Sequence, residues 1–280
     1  MAMLVNSIEE FVKYVPTALG TKWGPLSPYM EEADFEMEIF SFGKDLLDAI
    51  KALDQTNQIR RITCKIHCLL GYHHAIPFTD LIQTETGFAV TSNQNLSPAS
   101  KERVERLITW CVDQIGTLTD MLTEALRADN TLLAEWKKFS GYSQIFDSLF
   151  ISGNDFAKSA KIEGSNRDVF LNAKPDIVTL QLNLLAPVVS KQYLAELITM
   201  VRDNSVTEDA KPVITLCKQV LGQVYNKNQD QATKTLNEIT NLLESDNSKY
   251  SVYFASPEYS LRHSANYVNN QADPIYFFGI

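Results

Sequence analysis

The chain lacks the motifs by which most enzyme families announce themselves. It has no G-x-S-x-G turn, no H-E-x-x-H pair and no G-x-x-x-x-G-K-[ST] loop, so the hydrolase, zincin and P-loop readings that rest on those spacings fall away. It holds only four cysteines, without framework spacing. That excludes a disulfide scaffold and fits reduced thiols in a cytosolic product. No apolar run approaches the length of a membrane span. Met1 to Val5 is too short for an apolar signal region, and Glu9 and Glu10 follow at once, so neither a signal peptide nor a membrane contact is expected. Positive charge is also scarce: the net charge is -9. A sequence-independent nucleic-acid binder needs a basic face, and this balance argues against one. It leaves room for a protein that lies beside DNA without holding it.

What the chain does have is an internal echo. Pro28–Ile50 and Pro175–Leu197 share an apolar phase over two dozen positions without a gap. Met30 falls on Ile177, Phe35 on Leu182, Phe42 on Val189, Lys44 on Lys191, Leu47 on Leu194 and Ile50 on Leu197. Identities are few, and the kept phase carries the signal. Phe35 and Leu182 are expected at equivalent core positions. Upstream, Leu4–Val5 with Phe11 and Lys13 answers Leu149–Phe150 with Phe156 and Lys158. Downstream, Ile62–Gly71 answers Val213–Gly222 at helical spacing. The expected fold is mainly α: two pseudo-repeated helical bundles, 1–129 and 130–245, and an irregular C-terminal extension, 246–280.

The halves differ most between Ala75 and Leu96. Leu81–Thr84 and Phe88–Thr91 are β-prone, and Glu85-Thr86-Gly87 suits a hairpin loop. A projecting hairpin over about 78–92 is predicted as a contact element, with Leu81, Ile82, Gln83, Thr86, Gly87, Phe88 and Val90 as partner-facing residues. Ser97 and Pro98 fit the start of a long helix running to about Arg127. Its seam of Val104, Ile108, Cys111, Ile115, Leu118 and Leu122 suits a helix lying on a bundle core. Near the end, Tyr276, Phe277 and Phe278 read as a buried or paired strand and a second partner contact.

Three clusters invite chemistry. Cys64, His67 and Cys68 share one helix face, but the spacing matches no familiar zinc motif, so a packed helix is preferred to a metal site. Arg60-Arg61 is the basic doublet and reads as a surface or interface pair, because no glycine-rich loop accompanies it. Glu31, Glu32, Asp34, Glu36 and Glu38 form an acidic run, read as a solvated helix face rather than a catalytic pair. No catalytic residue, metal or cofactor is predicted.

One resemblance goes further. The stretch from Ile76 to Leu107, with Thr86-Gly87-Phe88, Val90, Ser92-Asn93 and Pro98-Ala99-Ser100, resembles an uncharacterised family encoded by tailed phages and prophages of Bacteroidetes. The likeness implies a virion structural protein, made in the host cytoplasm and non-enzymatic. By architectural analogy it is also similar to head–tail connectors, the adaptor rings below the portal. The partners implied are further copies of the chain in a ring, the portal and tail components. Packaged DNA would lie nearby without sequence-specific binding, and the acidic run is a candidate for the channel wall. A scaffold or regulatory interaction protein, and an enzyme with a site assembled from scattered residues, stay open beside it.

Overall fold

The computed structural model describes residues 3–15, 22–79, 81–84, 87–90, 99–163 and 167–264. The described chain is mainly α-helical. It divides into two compact units, Met1–Pro175 and Asp176–Ile280.

In the first unit, Ser7 caps α1 (Ile8–Phe11) by accepting the Glu10 N–H. Helix α2 (Trp23–Glu36) carries Pro28 in its interior. A proline there removes one helical N–H. The carbonyl left over, that of Gly24, accepts instead from the Ser27 hydroxyl at 3.2 Å. The helix then loosens into a π-helical segment, Met37–Phe42, and ends at Gly43 with φ 73°. A Cβ at Gly43 would lie 2.9 Å from the Phe139 Cβ, so both the backbone conformation and the close approach require glycine. Helices α3 (Lys44–Ala52) and α4 (Gln58–Ala75) follow, the latter capped by Asn57.

Two short strands, β1 (Leu81–Thr84) and β2 (Gly87–Val90), pair antiparallel with Leu81 opposite Val90 and Thr84 opposite Gly87. Helix α5 runs from Lys101 to Ala128. Ser97 and Pro98 lie outside the described residues; the helix opens at Lys101 behind Ser100, whose side chain makes no capping bond. Cys111, Leu118 and Leu122 of its seam are buried, with Val104, Ile108 and Ile115 packed at the edge of the core.

The aromatic stretch after Asp129 belongs to this core. Helix α6 (Asn130–Trp136) is capped by Asp129, and the Trp136 indole N–H donates to the Ser41 carbonyl at 2.9 Å. Trp136, Tyr142 and Phe146 pack ring to ring around α7 (Tyr142–Ile145). These contacts carry the first compact unit past the boundary expected near 129. Helix α8 (Gly153–Ala160) is capped by Ser152, and α9 (Arg167–Leu180) contains Pro175.

Asp120 and Arg167 meet inside this unit at 2.7 Å, and Asp120 also accepts the Asn154 N–H at the start of α8. A carboxylate there offsets the exposed N–H groups and the dipole of the helix end.

The second unit begins within α9. Helix α9 loosens into a π-helical segment, Gln181–Leu185, and a single turn, α10 (Ala186–Val189), ends at Ser190 with φ 73°. Helices α11 (Lys191–Arg202) and α12 (Ala210–Tyr225) follow, and Lys227 at φ 59° turns the chain directly into α13 (Gln229–Glu244). Ile177, Val189, Leu194, Leu197, Val213, Cys217, Leu221, Ile239 and Leu243 form its interior.

Two expectations need correction. Phe35, in the last turn of α2, and Leu182, inside the second π-helical segment, are not core: they are 63% and 54% exposed. Phe35 lies off the buried stripe of Leu26, Met30, Ala33 and Asp34 on α2, and Leu182 sits in the second π-helical segment between buried Gln181 and Leu185, where the helical period changes. The C-terminal extension is not irregular as far as it is described. Helices α14 (Ser251–Phe254) and α15 (Pro257–Arg262) fold onto the second unit, with Tyr250 and Tyr253 buried. Short helices with a proline start and a Ser256 cap leave too few turns to show a period.

Candidate functional site

The acidic run does not act as one face. Glu31 and Glu32 are exposed. Glu36 and, more distantly, Glu32 approach His74, at 3.3 Å and 3.8 Å. Asp34 is buried and belongs to the core, which corrects its assignment to a wet or channel-facing wall. Its Oδ2 accepts from Lys51 Nζ at 3.1 Å and its Oδ1 from the Leu4 N–H at 3.3 Å. His67 Nε2 lies 3.8 Å from Oδ1 and donates to the Met30 carbonyl at 2.9 Å. This node ties the segment before α1, at Leu4, to α2, α3 and α4. Burial pushes His67 below the ordinary imidazole range, against the Met30 bond and the Asp34 charge, which favour protonation. With Nε2–H donated to a carbonyl, the neutral ring leaves Nδ1 as a buried acceptor without a partner. Three of the run's carboxylates, Glu31, Asp34 and Glu38, do line one open cavity of about 400 Å³ with Met3 and Phe35.

Cys64 and Cys68 are buried on α4, and burial raises both thiols above their usual range. A buried protonated thiol is a packing group, not a ligand or nucleophile. Among the described residues no three His, Cys, Asp or Glu side chains group closely enough to hold a metal ion. Tyr276, Phe277, Phe278 and Thr86 lie outside the described residues. Leu81, Ile82, Gln83, Gly87, Phe88 and Val90 lie on the paired strands.

A concavity of the first unit was not foreseen as one. A cavity of about 600 Å³ opens between the end of α1, the start of α4 and the middle of α5. Lys13, Arg60, Arg61 and Lys65 line it, with Glu10 as its carboxylate and the rings of Tyr14 and Trp110 beside them. Arg60 is anchored, its Nη1 donating to the Leu53 carbonyl at 2.5 Å. Burial, then the nearby Cys64 and Glu10, push the Tyr14 phenol up to about 12, so it is a neutral donor. The sequence signal was the Arg60-Arg61 doublet with Lys65 one turn beyond Arg61. Lys13 joins through the tertiary fold alone.

Among the described residues, no single helix is long and apolar enough to cross a membrane. No curated protein and no solved structure matches the chain. A family model matches residues 41–144 and 178–262, together more than half of the sequence. On that match the chain belongs to DUF6712, a family of unknown function.

Proposed function

We infer that this chain is a non-enzymatic structural subunit of a tailed-phage virion, built from two copies of one helical unit and assembling as a connector ring below the portal. The observation that carries the reading is the hairpin. The first half places β1 and β2 between α4 and α5, where the second half joins α12 to α13 by a turn of a few residues. The strands form a two-stranded sheet. Such a hairpin is marginal by itself, and its outer edges can accept a further strand. A neighbouring subunit or portal protein would supply it. Phe35 and Phe40, 63% and 69% exposed, add apolar surface suited to assembly. The acidic exterior given by Glu31 and Glu32 is compatible with a channel wall that repels DNA. Duplication is supported by the recurrence of an internal proline, a π-helical segment and a positive-φ residue at matching places.

The test is deletion of residues 83–88 in the full chain, with circular dichroism and mass photometry, together with tagging of the protein in phage-producing cells. The expected result is an unchanged helical signal, loss of assemblies, and the tagged wild-type chain in purified particles. A wild-type chain absent from particles and monomeric at all concentrations overturns the connector reading. Loss of helix on deletion overturns the assignment of the hairpin as a contact element.

A further inference from the structure

We propose that the cavity between α1, α4 and α5 binds an organic phosphate of nucleotide size. The charge arrangement points to an anion from outside the chain. Lys13, Arg60, Arg61 and Lys65 converge on one space, and among the described residues none of them has an ion-pair partner. Several cations elsewhere in this acidic protein are matched, among them Lys51 with Asp34, Arg167 with Asp120, Lys174 with Asp147, Lys249 with Asp209 and Arg262 with Glu244. Four like charges held around a cavity with Glu10 as its carboxylate repel one another unless a counter-anion enters.

The donor types favour phosphate. Guanidinium forks match its oxygens two at a time, and lysines supply point charge. Arg60 is pre-positioned by its bond to the Leu53 carbonyl, which lowers the ordering cost of binding. Arg61 and Lys65 lie one turn apart on α4. The space is also larger than a bare phosphate requires: about 600 Å³ falls within the range of roughly 300–1,000 Å³ typical of small-molecule sites. Trp110, 38% exposed on α5, and Tyr14 line the same cavity and supply aromatic surface on which a planar group can pack. The site does not depend on the connector reading, and neither fails with the other.

The test is isothermal titration calorimetry of the full chain at low ionic strength with ADP, inorganic pyrophosphate and a ten-nucleotide oligodeoxythymidine. ADP and pyrophosphate are expected to bind and to compete with each other. Arg61→Gln and Lys65→Gln should each weaken both by about tenfold, the loss of one charge-assisted contact. Lys211→Gln on α12 should leave both unchanged. The circular dichroism melt of each variant checks that the fold persists. No binding of ADP or pyrophosphate at millimolar concentration overturns the site, as does equal weakening by the α12 variant. Tighter binding of the oligonucleotide than of ADP, counted per phosphate, overturns the small-ligand assignment.

Discussion

Gly43 and Ser190 hold nearly the same unusual backbone conformation 147 positions apart, φ 73° and ψ 163° in the first, φ 73° and ψ 147° in the second. Gly43 ends the π-helical stretch Met37–Phe42, Ser190 ends the single turn α10, and each starts a new helix at a lysine. At Ser190 the chain turns by 119°. This region of backbone space is nearly reserved for glycine and costs a side-chain-bearing residue about 1–3 kcal/mol. Serine tolerates it because its Oγ accepts the Tyr193 N–H and caps α11.

Swapping the two residues is therefore asymmetric. Ser190→Gly relieves the strain and loses only a few tenths of a kcal/mol of capping, so the melting temperature should rise. Ser190→Ala keeps the strain and loses the cap, costing about 1 kcal/mol. Gly43→Ser gains nothing, because its Cβ meets Phe139 at 2.9 Å; destabilisation of about 1–3 kcal/mol is expected. Thermal melts of the three variants order them. A stabilising Gly43→Ser would refute the account.

The acidic run separates under mutation. Glu31→Lys with Glu32→Lys changes exposed positions and should shift stability by no more than about 0.5 kcal/mol. Asp34→Asn strips the charge facing Lys51 and His67 in a buried node, and should cost about 2–4 kcal/mol. Urea denaturation compares them. Equal midpoints would show that Asp34 is only another surface carboxylate.

The apolar period was legible in the sequence wherever a helix is regular. Met30 with Ile177, Leu47 with Leu194 and Ile50 with Leu197 are all buried, as the shared phase implied. The core assignment failed at Phe35, which lies off the stripe of Met30, Ala33 and Asp34 on α2, and at Leu182, which lies inside a π-helical segment where the regular period changes and leaves no compositional mark. Asp34 was misplaced for a different reason. Its partners, Leu4, Lys51 and His67, come from three other segments, and one acidic residue among five looks like its neighbours until those segments meet. The same holds for the cationic cavity, where Lys13 is 47 positions from Arg60.

His67 sets a pH dependence. Its folded pKa is lowered, burial being the main cause, so the folded state resists protonation that the unfolded chain accepts. Stability is full above about 6.5, the ordinary histidine value, and declines as pH falls from there toward the lower folded value. His73 is lowered too, by burial and then by His74, and adds to the same slope. In His67→Gln the slope of stability between pH 6.5 and pH 5 should shrink to the part His73 contributes. Chemical denaturation at a series of pH values measures it, and an unchanged slope would remove His67 as its source.

A second, more acidic step belongs to the end of the second unit. Burial pushes the Glu244 carboxyl up, but hydrogen bonds from His263 and Tyr253 and the charges of His263 and Arg262 outweigh it, leaving its pKa below the usual carboxylate value of 4.5. The bonds measure 2.9 Å from His263 and 3.1 Å from the Tyr253 hydroxyl. Arg262 extends the latch by donating to the Tyr253 hydroxyl and to the Pro187 carbonyl, both at 2.9 Å. Helix α15 and His263 are thereby tied to α10 and α13. A carboxyl lowered in the folded state stabilises it above the unfolded pKa, and that contribution disappears as pH falls through the folded value. Glu244→Gln should therefore melt below wild type at neutral pH. The difference should fade as pH drops below about 4.5 and the wild-type carboxylate itself takes up a proton. The group is partly solvated, so solvent screening keeps the neutral-pH difference to about 1 kcal/mol or less. Proteolysis offers an independent measurement, since a loosened latch exposes Tyr253 and Tyr259 to chymotrypsin. If the variant and wild type melt alike at pH 7 and are cleaved at the same rate there, the latch does not hold the C-terminal helices.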